Sequence, residues 1–188
     1  SRRAVVGISG NVSIYYGSAS WSGLETTPDV NFTPPASPQN FGWAVAAGNL
    51  NNAGYDDALI AEPGRDNDGG LASQDGVVHV YVSPFSAAES TADFTLFPST
   101  NASGWLGWSL AVGKVDGDAY PDVVAGEPLY NSNDGRVQFY KGIGLASGSG
   151  SRYPNAPLSA PPAGGVGEYG KAVSGGKVSA CSSSAGST

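Results

Sequence analysis

Two loops in this chain carry oxygen-bearing side chains at alternate residues. The first runs Asn49-Leu50-Asn51-Asn52-Ala53-Gly54-Tyr55-Asp56-Asp57, the second Lys114-Val115-Asp116-Gly117-Asp118-Ala119-Tyr120-Pro121-Asp122. Spaced in this way, carboxylates and amide carbonyls turn toward a shared centre, which is the chemistry of a hard cation. Ca²⁺ takes about six to eight such oxygens and needs a Gly where the chain bends sharply. The plainer reading is a pair of polar turns, with Asp and Asn side chains hydrogen-bonded to nearby backbone.

Each loop lies between two short apolar strands, and the whole layout recurs. Phe41-Gly42-Trp43-Ala44-Val45-Ala46-Ala47-Gly48 precedes the first loop and Ala58-Leu59-Ile60-Ala61-Glu62-Pro63 follows it. Leu106-Gly107-Trp108-Ser109-Leu110-Ala111-Val112-Gly113 and Val123-Val124-Ala125-Gly126-Glu127-Pro128 do the same, 65 residues later. A period of this order marks a repeat architecture. Residues 4–9 match the second strand of the unit. Third strands start at Gly10, Gly76 and Gly135 and alternate, with Val12 and Ile14, Val78 and Val80, and Val137 and Phe139 expected on the better-buried face. Weaker fourth strands are expected at 29–32, 92–97 and 153–158, with Pro-, Ser- and Gly-rich connectors at 33–39 and 142–151.

Tyr169-Gly170-Lys171-Ala172-Val173 repeats the start of a unit. The predicted organisation is therefore strands two to four of one unit (1–37), two whole units (38–102 and 103–165), and a first strand with a Ser/Gly-rich tail (166–188). Four strands per unit of about 60 residues predicts an all-β fold, a β-propeller of four-stranded blades with about three blades and ends offset by one strand. A β-sandwich is the rival, but it needs no loop repeated at a fixed offset.

Composition agrees with short strands and turns: 28 Gly, 13 Pro, nine Tyr and 13% charged residues. The net charge of −7 argues against nucleic acid or an anionic membrane surface as partner. No apolar run approaches the roughly 18 residues of a membrane span. With no Met and no signal peptide, a chain starting at Ser1 is expected to be a processed product or a piece of a longer protein. Cys181 is the single cysteine, so no internal disulfide forms. Sequons at Asn11, Asn31 and Asn101 permit glycosylation, although this composition produces such triplets by chance.

These residues resemble the FG-GAP repeat family, the blades of integrin α-subunit propellers and of many secreted and cell-surface proteins. Phe41-Gly42 stands for the family's FG, with Leu106-Gly107 and Tyr169-Gly170 as softer versions. Ala61-Glu62-Pro63 and Gly126-Glu127-Pro128 stand for its GAP. The resemblance implies propeller blades, commonly about seven around an axis, and a loop of the form Asp-x-Asp-x-Asp-Gly-x-x-Asp that binds Ca²⁺, its seventh residue giving a backbone carbonyl. Carried onto the first loop, the implied ligands are Asn49, Asn51, Tyr55 (backbone) and Asp57, with Ala53 in a ligand's place and Gly54 at the turn. On the second they are Asp116, Asp118, Tyr120 (backbone) and Asp122, with Lys114 in the first position and Ala119 at the turn. Affinity follows ligand charge, so both sites are degenerate and weak, the second being the better carboxylate cluster. Lys114 either sits among the carboxylates as a built-in cation or extends outward. The third copy, with Lys177, Ser179 and Cys181, is expected to bind nothing.

Nothing in the sequence nominates a catalytic set. His79, the one histidine, has no evident nucleophile or orienting partner. Glu62 and Glu127 occupy matched places and read as a structural feature of the repeat rather than a glycosidase pair. Trp43 and Trp108 match each other and are expected to pack between blades. Trp21 and Trp105 are candidates to stack on a sugar or a partner, and the loops 65–70 and 131–135 are candidates for a binding rim. The leading expectation is a non-catalytic extracellular recognition or adhesion module, taking a protein or glycan ligand at a propeller rim. Two alternatives stand beside it. One is a structural subunit whose copies complete each other's blades head to tail into a ring or filament; the other is an accessory propeller of a larger secreted hydrolase.

Overall fold

The computed structural model describes residues 3–8, 10–17, 26–36, 38–66, 74–100, 103–142, 150–152, 154, 156–159 and 169–174. Trp21, the sequon at Asn101, and Lys177, Ser179 and Cys181 lie outside the described residues. The strands are β1 (Arg3–Ile8), β2 (Asn11–Tyr16), β3 (Val30–Phe32), β4 (Val45–Gly48), β5 (Asp57–Glu62), β6 (Val77–Tyr81), β7 (Ala88–Glu89), β8 (Phe94–Leu96), β9 (Leu110–Gly113), β10 (Asp122–Glu127), β11 (Arg136–Tyr140), β12 (Gly150–Arg152) and β13 (Ala156–Ser159). A single helical turn at Tyr130–Asn133 holds left-handed Asn131 and Ser132. The described chain is therefore all-β.

The strands form three sheets, ordered β1-β2-β3-β7, β4-β5-β6-β8-β12 and β9-β10-β11-β13. The second and third repeat each other in register. Val45 pairs with Ile60 as Leu110 pairs with Ala125, and Ile60 meets His79 as Ala125 meets Gln138. One shift of 65 residues carries the pairing of β4 and β5 onto that of β9 and β10. A slip of one residue would turn every side chain to the wrong face.

The middle sheet is covered on both sides. Ala58, Ile60 and Tyr81 pack with Val12, Ile14, Val30, Phe32 and Phe41. Leu59, Val78 and Val80 pack on the other side with Leu106, Val123, Ala125 and Tyr140. This is why β5 and β6 read as continuous apolar runs instead of alternating ones, and it corrects the one-faced expectation for the third strands. Every residue of β6 and β11 is buried, His79, Arg136 and Gln138 included.

Two short strands arise outside the predicted strands, the second overlapping the end of the 142–151 connector. Ala88–Glu89 adds in parallel to β3, and Gly150–Arg152 adds in parallel to β8. Each satisfies part of the open edge that a fourth strand otherwise presents; the Asn31 and Thr33 amides donate to the Ala87 and Glu89 carbonyls. The fourth strand of the third sheet falls at Ala156–Ser159, a little beyond the 153–158 window.

Neighbouring sheets are joined at the dipeptide that opens each unit. The Gly42 amide donates to the Ala61 carbonyl and Gly107 to Gly126 within their own units, while Leu106 and Tyr169 donate across to the Asp75 and Asp134 carbonyls, just before β6 and β11 of the preceding sheet. The contact is close enough to require glycine across it. A Cβ on Gly76 would lie 2.3 Å from the Leu106 oxygen, and one on Gly135 would lie 2.2 Å from that of Tyr169; both also have positive φ.

Candidate functional site

Asp122 opens β10 and is fully buried. Its Oδ2 accepts the Val115 and Asp116 amides at 2.7 and 3.2 Å, and its Oδ1 accepts Gly142 at 2.9 Å. Within the same loop, Asp116 Oδ1 accepts the Asp118 amide at 3.0 Å and Asp118 Oδ1 accepts Tyr120 at 2.7 Å. The three carboxylates bring oxygens within 4.8 Å of one another, so they do gather as the spacing predicts.

The cation among them is not Lys114, which makes no ion pair with these carboxylates. It is Lys141, just past β11, whose Nζ lies 3.0 Å from Asp116 Oδ2. The Asp118 amide, and then Lys141, hold the Asp116 carboxyl below the usual range. Asp116 in turn raises the Lys141 ammonium. As it stands, this loop does not fit Ca²⁺, because Lys141 already supplies a positive charge at its carboxylates. The left-handed turn residue is Gly117, not the expected Ala119.

In the first loop Asp57 is the counterpart of Asp122 and equally buried. Its Oδ2 accepts the Leu50 amide at 2.9 Å and its Oδ1 accepts Ser83 at 3.0 Å. Burial pushes its carboxyl up, against those hydrogen bonds. Asn51 Oδ1 accepts the Ala53 amide at 2.8 Å, as Asp116 does for Asp118. Tyr55 is exposed. Asn49 Oδ1 is buried without a hydrogen-bond partner, the feature an absent ligand would leave. The loop therefore retains one acceptor fit for a cation, and charge is what it lacks. The two loops also touch, Asn52 Nδ2 donating to the Ala119 carbonyl at 3.3 Å.

Residues 106–140, spanning β9, the second loop, β10 and β11, match the family described as FG-GAP repeat. The chain carries an FG-GAP repeat. It is also 31% identical over 103 residues to integrin alpha-4 of Xenopus laevis, a match covering 54% of this chain and 10% of that protein. The chain thus spans a small part of the length of this relative.

Within the FG-GAP repeat, Glu127 is fully buried and held by the Arg136 guanidinium, Nε at 2.6 Å and Nη2 at 3.0 Å, and by Gln138 Nε2 at 2.8 Å. Burial pushes its carboxyl up despite Arg136. Arg136 also lies 3.6 Å above the Tyr130 ring. In the preceding unit Glu62 bonds to His79 Nε2 at 2.8 Å and accepts the Gln39 amide at 2.8 Å. His79, packed on Phe41, is thus the counterpart of Gln138, and the matched glutamates sit in the framework of each unit.

Trp43 and Trp108 pack at 4.7 Å between ring centres, tilted by 49°, and Trp105 packs on Trp108 at 5.5 Å, tilted by 42°. The matched pair does pack across two units, yet Trp43 remains 44% exposed. Trp105 holds a left-handed backbone (φ 61°), uncommon for a bulky residue. The sequence did not single out Lys141 or Arg136. Alignment of Tyr81 with Tyr140 would have flagged Lys141, since it sets Lys141 against Val82.

Proposed function

We propose that the chain is part of a non-catalytic, integrin-like recognition module in which the three sheets are successive propeller blades. The FG-GAP repeat at 106–140 carries this reading, and the likeness to integrin alpha-4 supports it and an extracellular setting. Asn11 and Asn31 are exposed, as glycosylation would require. The recognition surface is the Trp43–Trp108–Trp105 ladder, which offers flat apolar faces with N–H groups to a protein or glycan. The first loop binds Ca²⁺ weakly through Asn49, Asn51, Asp57 and the Tyr55 carbonyl, and its role is to stiffen the loop. To test the surface, immobilised chain is presented with extracellular-matrix proteins and a glycan panel. Binding that Trp43→Ala lowers at least about tenfold is expected; a ligand held equally by the variant removes the ladder from the proposal.

A second reading, self-assembly, is favoured by β1. Its counterparts β5 and β10 are paired on both edges, but β1 pairs only with β2 among the described residues. A strand from a second copy fits that edge. Light scattering across a concentration series reads the outcome, and a monomer throughout rejects it.

A further inference from the structure

Tyr81 and Tyr140 hold the same register, opposite Ala58 and Val123. Val82 and Lys141 are therefore equivalent positions, and the residues after them, Ser83 and Gly142, donate to Asp57 and Asp122 in the same way. The loops beside these positions differ in step with them. Asp116 and Asp118 stand where the first loop has Asn51 and Ala53. The acidic loop is accompanied by a lysine and the neutral loop by a valine.

Five of the six carboxylate oxygens of the second loop take donors from the chain, and Lys141 is the one cation among those donors. Both oxygens of Asp122, both of Asp116 and Oδ1 of Asp118 take donors from within the protein. We infer that Lys141 is the resident counter-ion of the second loop. Its ammonium supplies the positive charge that a divalent cation would supply, and the loop keeps its shape without metal. A lysine suits this place: it is a compact point charge on a flexible stem, and 48% side-chain exposure leaves it able to reach the rim of the cluster. The inference concerns the second loop alone and does not depend on what the module binds or on Ca²⁺ in the first.

The test is hydrogen exchange at the Val115, Asp116, Asp118 and Tyr120 amides, each bonded to a carboxylate of the cluster, in chelator and in millimolar Ca²⁺. The wild-type chain is expected to exchange equally in both. Lys141→Gln is expected to exchange about threefold faster in chelator and to slow again in Ca²⁺. Lys141→Arg keeps the charge and is expected to match wild type; Lys114→Gln is expected to change nothing. Slowing of the wild-type amides by Ca²⁺ would overturn the inference, as would a Lys141→Gln chain that matches wild type in chelator or an effect carried by Lys114→Gln instead.

Discussion

Asp57 and Asp122 do the same work in successive units. Each buried carboxylate ties the start of its loop to the residue two beyond the third strand, through Leu50 and Ser83 in one case and Val115 and Gly142 in the other. Replacing Asp122 with Ala strands the buried Gly142 amide and the part-buried Val115 and Asp116 amides, and the expected cost is about 2–3 kcal/mol. Urea denaturation measures it, and a loss below about 1 kcal/mol would remove the clamp from the account.

The raised carboxyls of Asp57 and Glu127 give a signed pH dependence. In both, burial lifts the folded-state value above the ordinary one, 3.8 for Asp57 and 4.5 for Glu127. The folded chain therefore binds more protons there than the unfolded chain. Their contribution to stability is fully present below the unfolded value and is lost as pH rises through the folded one. Comparison of wild type with Asp57→Asn by urea denaturation at pH 7 and near pH 4 should show the difference moving in favour of wild type at the lower pH. Movement the other way refutes the sign.

Arg136 is the only cation bonded to buried Glu127 among the described residues. Arg136→Ala leaves that carboxylate unpaired and is expected to cost about 3–5 kcal/mol. Arg136→Lys keeps the charge but loses the two-pronged geometry and should fall between. Both are read from denaturation midpoints at constant slope.

His79 and Gln138 fill one place opposite the two glutamates. His79→Gln is expected to cost less than about 1 kcal/mol, whereas His79→Leu withdraws the Glu62 partner and should cost about 2 kcal/mol. Thermal unfolding of the pair distinguishes a framework role from a chemical one, since only the former tolerates the swap.

Any stabilisation by Ca²⁺ is expected to pass through Asn49. Wild type should gain about 1 kcal/mol or less at saturating millimolar Ca²⁺, and Asn49→Ala should abolish the gain. Calorimetric melts in Ca²⁺ and in chelator measure it; a gain that survives in the variant places the ion elsewhere.

Much of the fold was legible because the repeat could be compared with itself. The strand-loop-strand layout, the paired glycines and the matched acids fixed where β4, β5, β9 and β10 would lie. What escaped was decided by tertiary burial or by distant partners. The alternation in β6 and β11 was read as one-faced, although a sheet packed on both sides hides both faces. The strands at Ala88–Glu89 and Gly150–Arg152 carry no pattern of their own and exist because an open edge is near. At the loops, the spacing gathered Asp116, Asp118 and Asp122 correctly. It could not show that the cation arrives from beyond β11, or that the loop poorer in charge keeps the unpaired acceptor.

The docking of each opening dipeptide on the sheet before it bears on synthesis. Leu106 and Gly107 close contacts of the middle sheet, and Tyr169 and Gly170 those of the third. A ribosome delivering this chain from its N-terminus therefore leaves the middle sheet without these contacts until Leu106 and Gly107 emerge, and without its last strand until Gly150–Arg152 follows. Such a protein sets up in sequence, as courses of brick do, and a pause just upstream of Leu106 or Tyr169 would leave the glycine-lined seam of the preceding sheet open.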